Sequence, residues 1–240
     1  VGAFALIGAQ VELAEEVKIG PHAVITGRTK IGARSEVHPF ACLGGPPQHQ
    51  EHQDLGDEVT GLEIGEDNVI REHVSVHVGT PEGVGCTRIG DDNMIMNSAH
   101  IAHDCRVGSH CVIASFSGLA GHSSIDDYAV LGAYTGVHQF ARVGESVMTA
   151  SGTMLSLDAP PFSIVAGDRA RFVGINQVGL KRREFSRERQ QQIKRAFHIL
   201  FRSKLSLAEA CEILREEHEQ APDVERLISF LTASNRGFCR

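Results

Sequence analysis

Aliphatic residues return at every sixth position along most of this chain. From Ile7 the series runs through Leu13, Ile19, Ile25, Ile31, Val37 and Leu43. It resumes at Ile64, Ile70 and Val76, and again from Ile89 through Ile95, Ile101, Val107, Ile113, Leu119, Ile125, Leu131, Val137 and Val143. All twenty are aliphatic in a chain that is 42% hydrophobic overall, so chance does not supply the series. Glycine often follows, as at Gly8, Gly20, Gly32, Gly65, Gly90, Gly108, Gly132 and Gly144, and a small or branched residue stands four places on, as at Val11, Ala99, Cys105, Cys111, Ala129 and Val147. A period of six is neither that of an α-helix nor that of a half-buried strand. It is the period of a parallel β-helix in which each hexapeptide makes one short strand and a turn, and three hexapeptides close a triangular coil. The aliphatic points inward and stacks on its counterparts one coil away, about 4.8 Å above and below.

The period breaks at 45–61 and 81–87, where insertions become loops projecting from an edge of the solenoid. It fades near Leu155, and Asp158-Ala-Pro-Pro161 marks an exit turn. From Ser186 the composition shifts to helix formers. A helix is predicted over Arg187 to Arg202, with Ile193, Phe197, Leu200 and Phe201 on one face. Ser206 and Glu209 form a capping-box pattern opening a second helix to about Gln220, and Pro222 starts a third reaching about Ser234. The expected organisation is mainly β: a hexapeptide β-helix over 1–158, a connecting segment over 159–185 and a small α-helical domain over 186–240.

Folding the sequence onto an 18-residue coil gathers part of its 13 histidines. His103, His122 and His138 fall on one edge of three successive coils, with His100 just before His103. Stacked imidazoles could bind a metal, but they lie a coil apart and no carboxylate or thiolate is arranged in the sequence to complete a site. The alternative is a polar cleft with one histidine as general base, since an imidazole titrates at about 6.5. Asp104 and Asp126 are the acids expected to orient an imidazole. No GxSxG, phosphate loop or dinucleotide fingerprint is present.

Six cysteines without a CxxC pair read as reduced thiols, with Cys105 and Cys111 in inward positions. No apolar run approaches the roughly 20 residues that span a bilayer, and no leader opens the chain, although Val1 already lies inside the repeat. A cytoplasmic location is therefore expected, with no integral membrane segment. The net charge of −7 argues against nucleic acid as a partner. Against it stands a basic stretch over 180–204, with nine Lys or Arg and only Glu184 and Glu188 opposing them. It suits docking of an acidic or phosphorylated partner.

Four motifs carry a resemblance to a known family. Ala99-His-Ile-Ala-His-Asp-Cys105, Leu119-Ala-Gly-His122, Val137-His-Gln-Phe140 and Gly179-Leu-Lys-Arg-Arg183, with the tail Asn235-Arg-Gly, are similar to those of the bacterial acyl-carrier-protein–UDP-N-acetylglucosamine O-acyltransferases. These enzymes open lipid A synthesis. The resemblance spans nearly the whole chain. It implies a left-handed coil and a homotrimer with active clefts between subunits. It implies that His103 is the general base activating the sugar 3-hydroxyl, and that the Gly121 amide stabilises the oxyanion. His100, His122, His138 and Gln139 would line the sugar and pantetheine sites, and Asn176, Arg182 and Arg183 would lie around the nucleotide. Ser151 and Ala133 would set acyl length, favouring a medium-length chain. The partners implied are acyl carrier protein, which is acidic, and a UDP-sugar. No metal or other cofactor is implied beyond the donor's own phosphopantetheine.

The chain also departs from the family pattern. A Gln-Asp-x-Lys-Tyr-like segment is replaced by Pro47-Gln-His-Gln-Glu-His-Gln-Asp54, which has no Lys. His-Arg-Gly-Thr becomes His77-Val-Gly-Thr80, a paired asparagine becomes Ser115-Phe116, and an acidic residue near the uracil site becomes Val178. These changes touch substrate identity more than reaction type. N-acyl transfer to a UDP-amino sugar, and a non-catalytic trimeric binding paralogue, are the competing readings.

Overall fold

A computed structural model describes residues 1–48, 60–217 and 221–240 of the chain. Two-residue strands repeat around three flat faces. Eight strands from Leu6–Ile7 to Met154–Leu155 form the first sheet, seven from Glu12–Leu13 to Arg142–Val143 the second, and nine from Lys18–Ile19 to Arg171–Ile175 the third, counted among the described residues. Pairing is parallel throughout, except that Ser163–Ala166 and Arg171–Ile175 pair antiparallel at the end of the third sheet. The hexapeptide period is thus realised as a parallel β-helix.

The register lines the aliphatics into three columns. Leu43, Val76, Ile101, Leu119, Val137 and Leu155 stack in the first sheet. In the third sheet the column Ile95, Ile113 and Leu131 continues into Thr149 rather than an aliphatic. Thr149 is tolerated inside the prism because its hydroxyl meets Thr135 Oγ1 at 2.7 Å and accepts from the Gly132 amide at 3.0 Å.

Although Gly152 makes the last turn into the first sheet, most corners turn through a non-glycine residue in the left-handed region. On the edge leading into the first sheet these are Phe4, His22, Phe40, His73, Ser98, Phe116 and Tyr134; on the edge between first and second sheets they include Asp104, His122 and Phe140; on the third edge they include Asp67, Asp92, His110, Tyr128 and Ser146. This backbone is costly for residues with a Cβ. Rings at successive corners offset the cost by stacking: Phe4, His22, Phe40 and His73 lie 5.1–5.2 Å apart, as do Phe116 and Tyr134 at 5.1 Å.

Both insertions leave from the edge between the first and second sheets. The first runs between the strands Cys42–Gly45 and Gly61–Ile64, and residues 49–59 of it lie outside the described residues. The second connects Ser75–His77 to Cys86–Ile89.

The stack continues past Asp158, because Ser163–Ala166 adds to the third sheet. Four helices follow: α1, Gln177–Arg182; α2, Arg187–Arg202; α3, Leu207–Glu217; and α4, Pro222–Thr232. Ser206 and Glu209 exchange capping bonds at the start of α3. Ile193, Phe197, Leu214, Leu227 and Leu231 form the helical core, which Phe162 and Phe185 join to the β-helix. Arg142 fastens the two parts: it bonds Asp158 at 2.8 Å and the Phe230 carbonyl at 2.7 Å, and its guanidinium lies 4.3 Å from the Phe230 ring centroid.

Candidate active site

A groove of about 630 Å³ runs over the outer face of the first sheet. Register places Ser75, His100, Gly118, Gly136 and Met154 in one outward row across adjacent strands. The two glycines leave the groove floor open between His100 and Met154. His103 and His138 border it on the edge where the insertions emerge, and Asp168 and Arg169 line its far end.

His103 is fixed from two sides. Its Nδ1 lies 2.9 Å from Asp104 Oδ2. A Cβ added to Gly121 would come within 2.6 Å of the imidazole Nε2, so only glycine lets the ring lie there. With Nδ1 turned to the carboxylate, Nε2 is left to accept a proton. His122 meets His103 edge-on at 5.1 Å and stacks on Phe140 at 4.6 Å, with Nε2 4.0 Å from Asp104 Oδ2. Ser75 Oγ lies 2.8 Å from His100 Nδ1.

The Asp104 side chain is fully buried, yet it stays charged. Burial by itself would raise its pKa. The Thr80 hydroxyl at 2.7 Å, His103 and the Thr80 amide more than offset that, and the carboxyl is held below its ordinary value. The Val84 and Gly85 amides donate to Oδ1 at 2.9 and 3.2 Å. These donors belong to the second insertion and its border, which supply what the regular coil lacks.

The expectation that no carboxylate completes the histidine cluster is thereby corrected. His103, Asp104 and His122 offer ligand atoms within 4.8 Å of one another. Both Asp104 oxygens already accept several bonds from the loop and His103, so a cation would have to displace them. The donor set fits a hydrogen-bonded carboxylate–imidazole pair better than a metal centre.

Asp126 does not join this site. It lies one edge away, with Arg106, Asp127, Glu145 and Arg226. Enclosure there, with Asp127 beside it, raises its carboxyl to about 6.

The structure brings His100, His103, Gly121 and His138 to the groove, with His122 behind His103. Gln139 is exposed beside it, and its carbonyl lies 2.9 Å from His138 Nδ1. Ser151 and Ala133 sit on the edge leading into the first sheet, outside the groove lining, and Met154 occupies the groove end instead. Asn176 is buried: it caps α1 by accepting from the Gly179 amide at 2.9 Å and donates to the Ser146 carbonyl. Arg183 bonds Glu145 and Ser146, both at 2.5 Å, and its guanidinium lies 3.6 Å from the Tyr128 ring centroid. Arg182 is exposed at the end of α1. Within one chain these three residues stand on a different edge from His103.

Sequence reasoning did not single out Thr80, Met154, Arg169 or the bond from Ser75 to His100. The break in period at 81–87 was the available signal for Thr80. His77, quoted only as the first residue of the segment in which Val78 departs, is also part of the groove. It is 8% exposed, its Nδ1 has no partner among the described residues, and its ring meets His100 at 4.8 Å.

Burial, with His100 and His103 nearby, lowers the His77 pKa from 6.5 to about 4, so the ring is neutral at pH 7. Between those two values the unfolded chain binds more protons, so this group makes the fold less stable as pH falls from 6.5 towards 4, by up to about 3 kcal/mol. Asp126 acts in the opposite sense as pH rises from 3.8 to 6. The difference between the wild type and His77→Gln isolates the histidine. We expect the urea midpoint of the variant to drop less between pH 7 and pH 4.5; equal drops would remove His77 from the account.

The sequence family described as UDP-N-acetylglucosamine O-acyltransferase, domain 2, matches residues 158–239, and that of bacterial transferase hexapeptides (six repeats) matches residues 86–121. The fold is similar over its full length to solved structures. One UDP-N-acetylglucosamine acyltransferase is 38% identical, with a TM-score of 0.93 over 100% of this chain and 91% of that one. The Campylobacter jejuni enzyme is 35% identical, with a TM-score of 0.83 over 100% and 94%. That of Francisella novicida is 32% identical, with a TM-score of 0.88 over 99% and 92%.

Proposed function

The chain belongs to the UDP-N-acetylglucosamine acyltransferase family, and from that premise we propose that it moves a 3-hydroxyacyl chain from acyl carrier protein to the 3-hydroxyl of UDP-N-acetylglucosamine, the first step of lipid A biosynthesis. The observation that carries the reading is the His103–Asp104 pair at the head of an open-floored groove.

His103 Nε2 takes the sugar hydroxyl proton while the hydroxyl oxygen attacks the thioester carbon. The Gly121 amide faces the oxyanion that forms; among the described residues it donates to no acceptor. The C–S bond then breaks, and the proton on Nε2 passes to the departing pantetheine sulfur. Asp104 stays ionised throughout and holds the tautomer.

His100, His122 and His138 orient the sugar and the pantetheine, with Gln139 beside them. The acyl chain lies along Gly118 and Gly136, flanked by the edge that carries Ser151 and Ala133. The working unit is a homotrimer. Arg182, presented by the Asn176 cap and steadied by the locked Arg183, reaches the nucleotide of a neighbouring copy. The exposed corner rings Phe40, Phe116 and Tyr134 support such packing.

Among the described residues no helix is long and apolar enough to cross a membrane. All six cysteines are free thiols, which fits the reducing cytoplasm where acyl carrier protein works. Mass spectrometry of the protein incubated with 3-hydroxyacyl carrier protein and UDP-N-acetylglucosamine tests the function. A 3-O-acyl product is expected, and absence of acylated sugar rejects it.

The basic stretch narrows on folding. Arg183, Arg189 and Arg195 are tied to Glu145, Asp223 and Glu217. Lys181, Arg182, Arg187, Lys194, Arg202 and Lys204 remain exposed for acyl carrier protein. Exposed contacts are screened over about 8 Å at 0.15 M salt. Donor affinity should therefore fall as salt is raised, and fall several-fold further in Arg187→Glu. An affinity indifferent to both would remove this surface as the docking site.

A further inference from the structure

The second insertion does more than bridge two strands. The Thr80 hydroxyl and the His103 Nδ1–H both point at one oxygen, Asp104 Oδ2, at 2.7 and 2.9 Å. The Val84 and Gly85 amides hold the other oxygen. Thr80 Oγ1 in turn accepts from the Gly83 amide at 3.1 Å, which fixes the direction of its own proton. Gly83 packs directly on the carboxylate: a Cβ there would stand 2.5 Å from its carbon and both oxygens. The loop is thus built around one charge. A carboxylate surrounded by oriented amides keeps its charge in a dry place and cannot swing away from its imidazole.

We propose that Thr80 and the loop through Gly85 form a positioning device for His103, acting through Asp104 and setting how strongly that carboxylate holds the imidazolium formed during acyl transfer. None of these loop residues touches the reacting atoms, and the inference rests on the reading of His103 as the base. Besides Asp104, the titratable or charged groups near His103 among the described residues are the imidazoles of His122 and His77, with His100, His138, Asp168 and Arg169 lining the same groove. The loop's one charged side chain, Glu82, is exposed.

The direction of the effect follows from the shared oxygen. Removing the Thr80 hydroxyl leaves more charge on Oδ2 for the imidazolium. The acid limb of the kcat/KM profile should then move to higher pH, by about half a unit. Thr80→Val should also lower kcat/KM about tenfold, the scale of one charge-assisted hydrogen bond lost from a positioning network, and Thr80→Ser should restore both. Gly83→Ala, which pushes the carboxylate off its amides, should move the limb the same way. A purely structural loop would lower activity in step with stability and leave the limb where it was.

An unmoved acid limb in Thr80→Val overturns the proposal, and if that variant does not fold, an unmoved limb in Gly83→Ala does so. The titration of the His103 ring, followed by NMR in the full chain, reads the same displacement without turnover. A wild type that transfers no acyl group would therefore fail the functional reading while leaving this test decidable.

Discussion

His103→Ala should lose acyl transfer by about 10²–10⁴-fold while keeping its assembly and most of its stability. The factor is that of a general base removed from the transition state. The stability half of the expectation comes from where the imidazole sits. It lies on the edge of the prism, outside the aliphatic columns, and the backbone carbonyl of His103 continues to accept from the His122 amide whatever the side chain. Substrate binding should change less than turnover, because His100 and His138 remain in the groove. Steady-state kinetics with sizing chromatography check both halves. Turnover within a few-fold of the wild type would mean that the base is another group.

Acyl-length preference should respond more to Met154 than to Ser151. The floor from His100 to Met154 spans three inter-strand steps, about 14 Å, and is open at Gly118 and Gly136. Met154 leans over it: a Cβ at Gly136 would come 2.7 Å from the Met154 sulfur. With this groove as the acyl site, a chain that ends before the sulfur fits on the open floor, and a longer one has to displace the sulfur. Each methylene denied burial costs about 0.8 kcal/mol, near fourfold in kcat/KM. Met154→Gly should therefore shift preference from a medium-length hydroxyacyl donor to a longer one, by tens-fold for a chain a few carbons longer. Ser151→Gly with Ala133→Gly, which widens only the flanking edge, should shift it less. Competition between donors of different length decides. An unchanged profile in Met154→Gly takes the residue out of the account, and a larger shift from the double glycine variant assigns length selection to the edge.

Much of the architecture was legible because one period governs it. The aliphatic columns, the coil length and the gathering of His103, His122 and His138 all follow from counting sixes. Where the count was read too loosely, the reading failed. Asp126 follows a strand of the second sheet and so turns the next corner, which separates it from His103. Where the period was masked, continuation was missed. The prolines after Asp158 hide that Ser163–Ala166 still stacks on Met148–Thr149. The short helix α1 also escaped notice, since six residues with a central glycine carry little propensity; its signal was Asn176, three places before Gly179. The loop around Asp104 was the least legible part, because an interruption has no repeat to extrapolate, and its amide donors depend on backbone direction rather than residue type.

The left-handed corners have a consequence for how such a chain can vary. A corner side chain leaves the prism at an angle set by the backbone, and what it touches is chiefly its equivalents one coil away. Asp104 and His122 occupy such corners, as do Ser98, Phe116 and Tyr134 on the neighbouring edge. Each edge therefore reads as a row of rungs, and those that carry no ring stack or hydrogen bond to a neighbour exchange most freely. Exchanging one rung alters the surface presented to a ligand and leaves the columns inside untouched. Deleting a single residue from a coil does the reverse, carrying every later rung off its edge. Divergence in this architecture is cheap by substitution and costly by single-residue slippage, and whole loops at the corners are the length changes it accepts.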